Sequence, residues 1–209
     1  TLSDTSIANV TANKDTINGS YSLEVSKVAT AQRLAGDQMA IGPLGITETS
    51  TLNGVNIDIT ADMSLRDIAI KISGSNAGVG AIVIDNKIVM TSKKEGVANQ
   101  MTFGGTAWDT IGVTAGGTAK NVLQSAQNAE FSINGIAMTS VTNTITEVEG
   151  MTIEIKKETT SPLEIKVERN TTEVIEKMKS LISEYNKMIE SVNSISGDKG
   201  AMQGERIPK

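Results

Sequence analysis

Cysteine and histidine are both absent from the 209 residues. Without cysteine there is no disulfide framework and no thiolate site, although this alone does not place the compartment. Without histidine the chain lacks the commonest general base and the commonest transition-metal ligand. Aromatic residues make up only 2% of the chain: Tyr21, Phe103, Trp108, Phe131 and Tyr185. A core must therefore be built from Ile, Val, Leu, Met and Ala. No run of about 18 apolar residues occurs, so no membrane-spanning helix is expected. A formal net charge of -5 with no large Lys/Arg cluster argues against a nucleic-acid partner. The opening Thr1-Leu2-Ser3-Asp4 has neither Met nor the apolar region of a signal peptide, and reads as the start of a piece cut from something longer.

What the chain does have is concentrated between Ala129 and Val167. Phe131 and Ile133 alternate with polar residues, Asn134-Gly135 interrupts them, and Ile136 and Met138 resume the alternation. Asn-Gly between two period-two runs signals a hairpin, because both central residues of a type I′ turn need positive φ. Met151, Ile153 and Ile155, then Leu163, Ile165 and Val167, alternate in the same way around Ser161-Pro162. These are half-buried antiparallel strands.

Residues 1–19 are rich in Thr, Ser, Asn and Asp and read as an extended or weakly ordered lead-in. Tyr21, Leu23 and Val25 share one face of a strand, whereas Val28–Leu34 reads equally as strand or short helix. Leu52-Asn53-Gly54-Val55 repeats the hairpin signature. Ser64 with Asp67 forms a carboxylate version of the capping box ahead of Leu65, Ile68, Ala69 and Ile72, the apolar face of a short helix. Two apolar strand runs flank Asp85-Asn86, and Gly104-Gly105 and Gly116-Gly117 bracket an irregular section around Trp108. The last element is a long helix that Asn170 can cap, with Glu173 reaching back. Val174, Met178, Leu181, Tyr185, Met188, Val192 and Ile195 recur at alternating spacings of four and three, and Ile175, Ile182 and Ile189 widen the stripe. This is a bundle or coiled-coil pattern with no matching long helix elsewhere in the chain. Residues 197–209 read as a disordered tail.

Reactive constellations are weak. Asp58 and Asp62 could be drawn as a glycosidase-style pair, but two carboxylates beside a loop are far more often a solvated rim. The Gly-Gly-Thr steps lack the lysine of a phosphate-cradling loop. Lys93-Lys94 reads as a hairpin tip that guards an edge, and Trp108 as a core plug more than a partner contact. No catalytic residue, metal or cofactor is expected.

The run Asn128-Ala-Glu-Phe-Ser-Ile-Asn-Gly-Ile-Ala-Met-Thr-Ser-Val-Thr-Asn143-Thr-Ile145, followed by Glu149-Gly-Met-Thr-Ile, resembles the "IN" motif of the flagellar cap proteins, also called hook-associated protein 2. The resemblance extends in order to Gly19-Ser-Tyr-Ser-Leu-Glu-Val25 with Ala31-Gln32, to Ser64-Leu65 with Asp67-Ile68 and Ile72, and to Ser183-Glu-Tyr185-Asn186. Ser73 departs from the family's usual Asn, and residues 104–118 match poorly. The resemblance singles out Phe131, Ile133, Asn134, Gly135, Asn143 and Gly150 as structural motif residues, and Val174, Met178, Leu181, Tyr185, Met188 and Val192 as stem-packing residues. It implies an α+β, mainly β architecture of two β-rich domains, one inserted in the other. The outer domain would be 14–41 plus 128–169, the insert 42–127, the stem helix 170–196, and residues 1–13 the end of the opposite helical stem arm or a linker to it. The implied role is structural: a ring-like homo-oligomer, secreted through the flagellar export apparatus to the filament tip outside the cell. Its implied partners are further copies of itself, flagellin and the hook-associated junction protein, with no membrane and no nucleic acid. Another flagellar axial protein, of the junction or flagellin type, or a glycan-binding surface adhesin, is the rival reading. The Lys93–Glu95 turn, the 104–118 loops and the Asn53-Gly54 turn are candidate contact regions.

Overall fold

A computed structural model describes residues 2–13, 15–169 and 171–196. In chain order these form β1 (Ala8–Ala12), β2 (Gly19–Lys27), β3 (Arg33–Ala35), β4 (Glu48–Leu52), β5 (Val55–Ile59), α1 (Leu65–Gly74), β6 (Val79–Ile84) and β7 (Lys87–Ser92). After a 3-10 turn at Val97–Asn99 come β8 (Phe103–Gly104), α2 (Ala107–Thr110), β9 (Thr114–Ala115), β10 (Thr118–Ala119) and β11 (Asn121–Gln124). The remainder is β12 (Ala129–Ile133), β13 (Ile136–Ser140), β14 (Thr144–Ile145), β15 (Met151–Ile155), β16 (Leu163–Val167) and α3 (Thr172–Ser196). The fold is mainly β with a C-terminal helix, as the sequence implies. The residues up to Val167 form one compact unit and α3 belongs to a second.

The first unit contains two separate hydrophobic cores. One lies between the sheet β13-β12-β2-β16 and the sheet β1-β15-β14, with Leu23, Val25, Phe131, Ile153 and Ile165 at its centre. Period-two sequence becomes a two-faced sheet here: in β12 Ala129, Phe131 and Ile133 are buried while Glu130 and Ser132 face outward. Each large side chain so buried contributes about 1.5–3 kcal/mol. The other core lies under the sheets β11-β3-β7-β6 and β5-β4-β8 and includes Leu34, Leu52, Ile68, Ile72, Met90 and Trp108.

In this second body α1 starts at the expected capping box. The Asp67 N–H donates to Ser64 Oγ (3.3 Å) and the Ser64 N–H to Asp67 Oδ2 (2.9 Å). At its other end Ser73 protects the edge of β6: its hydroxyl donates to the Ala81 carbonyl and accepts from the Ala81 N–H at 2.8 Å. Sheet edges left bare invite foreign strands. Trp108 is fully buried. Its indole N–H donates to the carbonyls of Thr51 (2.9 Å) and Gly104 (3.1 Å), and its ring meets Phe103 edge-on with centroids 5.6 Å apart. Order in the glycine-rich section comes from Asp109, whose carboxylate accepts from the Thr114 hydroxyl and from the N–H groups of Gly116 and Gly117.

Two expectations need correction. Residues 1–13 are not the end of a helical arm: Ala8–Ala12 is a strand, antiparallel to β15 with Ala8 opposite Ile155 and Ala12 opposite Met151. Its apolar residues are too sparse to announce a strand, yet Ala8 is buried because β15 supplies a ready apolar face. Arg33–Ala35, assigned to the outer body within 14–41, instead lies between β11 and β7 in the other body's sheet. The chain therefore passes between bodies near residues 30–32 and 124–128. Asn170 and the tail 197–209 lie outside the described residues, as do the side chains of Glu173 and Ile195.

Trp108→Ala should cost about 3–5 kcal/mol, the usual range for deleting a buried large aromatic, read by denaturant titration. A second prediction concerns acid. Asp37 is held below its ordinary value by bonds from Lys120 and Asn121, Glu48 by Thr106, Asp62 by Thr60, Asp67 by Ser64 and Asp109 by Thr114. Groups with depressed pKa stabilise the fold above their unfolded pKa, and that contribution disappears as pH falls through the folded pKa. All five belong to the body around Trp108. The denaturant midpoint followed by Trp108 emission should therefore fall as pH drops below the ordinary carboxylate range.

Candidate functional site

The motif residues sit where chain segments far apart in sequence are joined. Asn134 (φ 50°) and Gly135 (φ 79°) form the two-residue turn between β12 and β13. Asn134 also binds sideways. Its N–H donates to the Ser22 carbonyl (2.9 Å) and its Oδ1 accepts from the Ser22 N–H (2.8 Å), so the turn extends the pairing with β2. Asn53 does the same in the other body: its N–H donates to the Thr102 carbonyl and its Oδ1 accepts from the Thr102 N–H at 2.8 Å. Period-two reading finds both turns but not this second use of the amide. Phe131 and Ile133 are buried opposite Val25 and Leu23 of β2.

Asn143 bonds three segments at once. Its Oδ1 accepts from the Ala29 N–H (2.8 Å) and its Nδ2 donates to the Ala29 carbonyl (2.9 Å). The same Nδ2 donates to Glu95 Oε1 (2.9 Å), and the Asn143 main-chain N–H to Glu95 Oε2 (3.0 Å). Its carbonyl accepts from the Ile155 N–H. Beside it, the Val97 N–H donates to Asn128 Oδ1 at 2.8 Å. Gly96 has φ 89°, and a Cβ there would lie 2.5 Å from the Val141 carbonyl oxygen, so only glycine fits. Sequence reading names Asn128 in the motif and Glu95 in a turn but does not foresee that they join these segments, and it misses Gly96. The Lys93–Glu95 turn was expected to offer itself to partners; Lys93 and Lys94 are exposed, but Glu95 turns inward to Asn143.

Gly150 (φ 75°) anchors the lead-in. Its carbonyl accepts from the Asn13 N–H (2.8 Å) and the Thr16 hydroxyl (2.5 Å), and a Cβ would meet the Thr16 nitrogen at 2.7 Å. Asp58 and Asp62 accept from the hydroxyls of Thr49 and Thr60 on an exposed hairpin rim. No group of three or more acidic residues that could hold a metal ion occurs among the described residues, and no helix among them is long and apolar enough to cross a membrane.

On α3, Val174, Met178, Leu181, Tyr185, Met188 and Val192 are each 51–70% exposed, so the apolar stripe lies open along the helix.

Residues 126–206 match the family model described as "Flagellar hook-associated protein 2 C-terminus". The chain is 26% identical to the A-type flagellar hook-associated protein 2 of Pseudomonas aeruginosa, over 93% of the chain and 48% of that protein. It spans about half the length of the two Pseudomonas aeruginosa relatives, A-type and B-type. In structure it is similar to the D1-D2-D3 domains of the flagellar cap protein FliD from Escherichia coli (TM-score 0.78, 25% identity, 98% of this chain and 64% of that one). The D2-D3 domains of the same protein give a TM-score of 0.72 at 26% identity, covering 81% of this chain and 98% of that one.

The two turn glycines separate two costs. Gly135→Ala meets no atom within 4 Å and carries only the left-handed backbone penalty, whereas Gly150→Ala adds a clash with Thr16. The expected losses are about 1–2 kcal/mol for Gly135→Ala and clearly more for Gly150→Ala, compared by chemical denaturation.

Proposed function

We propose that this chain, kin to flagellar hook-associated protein 2, the flagellar cap protein, is the central part of a cap that sits on the growing filament tip outside the cell. There it would retain exported flagellin and promote its polymerisation. The observation that carries the reading is the fold match to cap-protein domains across nearly the whole chain. The family of the matched proteins is a structural one, not an enzyme family.

The physical logic has two parts. The stripe on α3 presents six large apolar side chains to solvent. Covering them with a second helix gains about 1.5–3 kcal/mol per fully buried side chain, enough to hold a stem, whereas an isolated helix is marginal in water. That covering helix would come from the rest of the longer protein, or from a neighbouring copy. The β bodies would supply the plate. A closed ring requires a head-to-tail contact between different surfaces of successive copies, and each copy offers two dissimilar bodies for it. The nested division, with 42–127 carried by 14–41 and 128–169, belongs to this reading, its joints moved to 30–32 and 124–128. Flagellin and the hook-associated junction protein are the proposed partners besides the chain itself. A glycan-binding role is less well served: sugar sites usually recruit exposed aromatics, and of the five here Trp108 and Phe131 are buried, Tyr21 and Phe103 half-buried, and the exposed Tyr185 belongs to the helix stripe.

The test is complementation. The full-length protein containing this chain should restore filament elongation in a bacterium lacking its own cap protein, with a plate visible at the tip by electron microscopy. Flagellin spilling unpolymerised into the medium would overturn the reading. Leu181→Asp together with Tyr185→Asp should abolish rescue, because two carboxylates would be buried in the stem seam.

A further inference from the structure

The two cores share no residue: one gathers Leu34 to Val113, the other Ala8 to Ala29 and Ala129 to Ile165. Between them run two antiparallel segments. Thr30 and Gln127 exchange main-chain bonds in both directions (2.9 and 3.1 Å), the Gln127 side-chain amide donates to the Val28 carbonyl at 3.0 Å, and the Thr30 hydroxyl donates to the Ser125 carbonyl at 2.8 Å. Two strands joined in this way make a neck that resists separation, but a ribbon so narrow bends and twists easily.

A second connection crosses beside the neck. Glu95, from the body around Trp108, places both carboxylate oxygens on N–H groups of Asn143, from the other body. Gly96 donates to the Thr30 carbonyl and packs its bare Cα on Val141, and Val97 is tied to Asn128. Glu95 and Asn143 are both half-buried. Water can therefore reach the pair and replace its bonds, which a sealed apolar contact would not allow.

We propose that Glu95 and Asn143 are a latch: the neck is a hinge, and the latch sets the angle at which one body is held against the other. Releasing it lets the two bodies swing while each core stays folded. This follows from the bonds alone and holds whether or not the chain belongs to a filament cap. In a cap, it would let a copy adjust its plate contacts without unfolding.

Because the chain has no cysteine, two introduced ones give clean spin labels: Lys87→Cys on β7 and Glu149→Cys in the loop before β15. Distances between them are measured by pulsed electron resonance in the 209-residue chain. The parent should give one narrow distribution. Glu95→Gln keeps the shape but turns an NH2 group toward the donors of Asn143; it should broaden the distribution and shift its centre, and Glu95→Ala should do the same. Lys94→Ala, one residue away and exposed, should leave the distribution narrow. Trp108 emission and far-ultraviolet dichroism should be unchanged in Glu95→Gln. An unaltered distribution in both Glu95 variants would overturn the proposal. So would loss of either core in Glu95→Gln, since a latch must open without unfolding what it joins.

Discussion

Everything in the outer body depends on β2 lying between β12 and β16. Leu23 stands opposite both Ile133 and Leu163, and Val25 opposite Phe131, so one short strand carries the centre of the core. Its partners are distant in the chain. Closing a loop of roughly 100 residues costs on the order of 4 kcal/mol in chain entropy, before any apolar burial offsets it. The intervening residues reduce that cost by folding around their own core, which brings Thr30 and Gln127 together as a bonded pair. Folding of the residues around Trp108 therefore favours the pairing of β2, since non-local strand pairing is slow when its loop is floppy.

Much of this was legible in the sequence, for identifiable reasons. Asn53-Gly54 and Asn134-Gly135 have the positive φ that only such pairs tolerate well, so the hairpins could be placed. The Ser64 and Asp67 pair is a local motif, complete within four residues. Trp108 is a plug because no other side chain in an aromatic-poor chain fills so large a space. The misses share one cause. β1, β3 and Glu95 take their structure from partners about 50 to 150 residues away, and no local period records such partners. Ala8–Ala12 carries too few apolar residues to be seen, Arg33–Ala35 is too short to choose its sheet, and Glu95 follows two lysines in what reads as an outward turn.

The candidate site shows the same division between local and distant causes. Asn134 and Gly135 could be chosen for their turn, yet the bonds of Asn134 to Ser22 depend on where β2 lies. Asn143 was singled out by resemblance, and its side-chain bonds to Ala29 and Glu95 give the physical reason a carboxamide stands there: it must accept from one segment and donate to two. An aspartate would lack the donors and a leucine would lack everything. On α3 the seven-residue period is plain in the sequence, and its apolar residues are exposed in the structure.

The most direct test is amide exchange, because it reads the pairing of β2 residue by residue. Leu23 should exchange with the same opening free energy as Phe131, Ile133 and Ile165, showing that the two distant halves of the chain open as one cooperative unit. Fast exchange along β2 while β12 and β16 stay protected would contradict it: the strand at the centre of the structure would then not be holding the halves together.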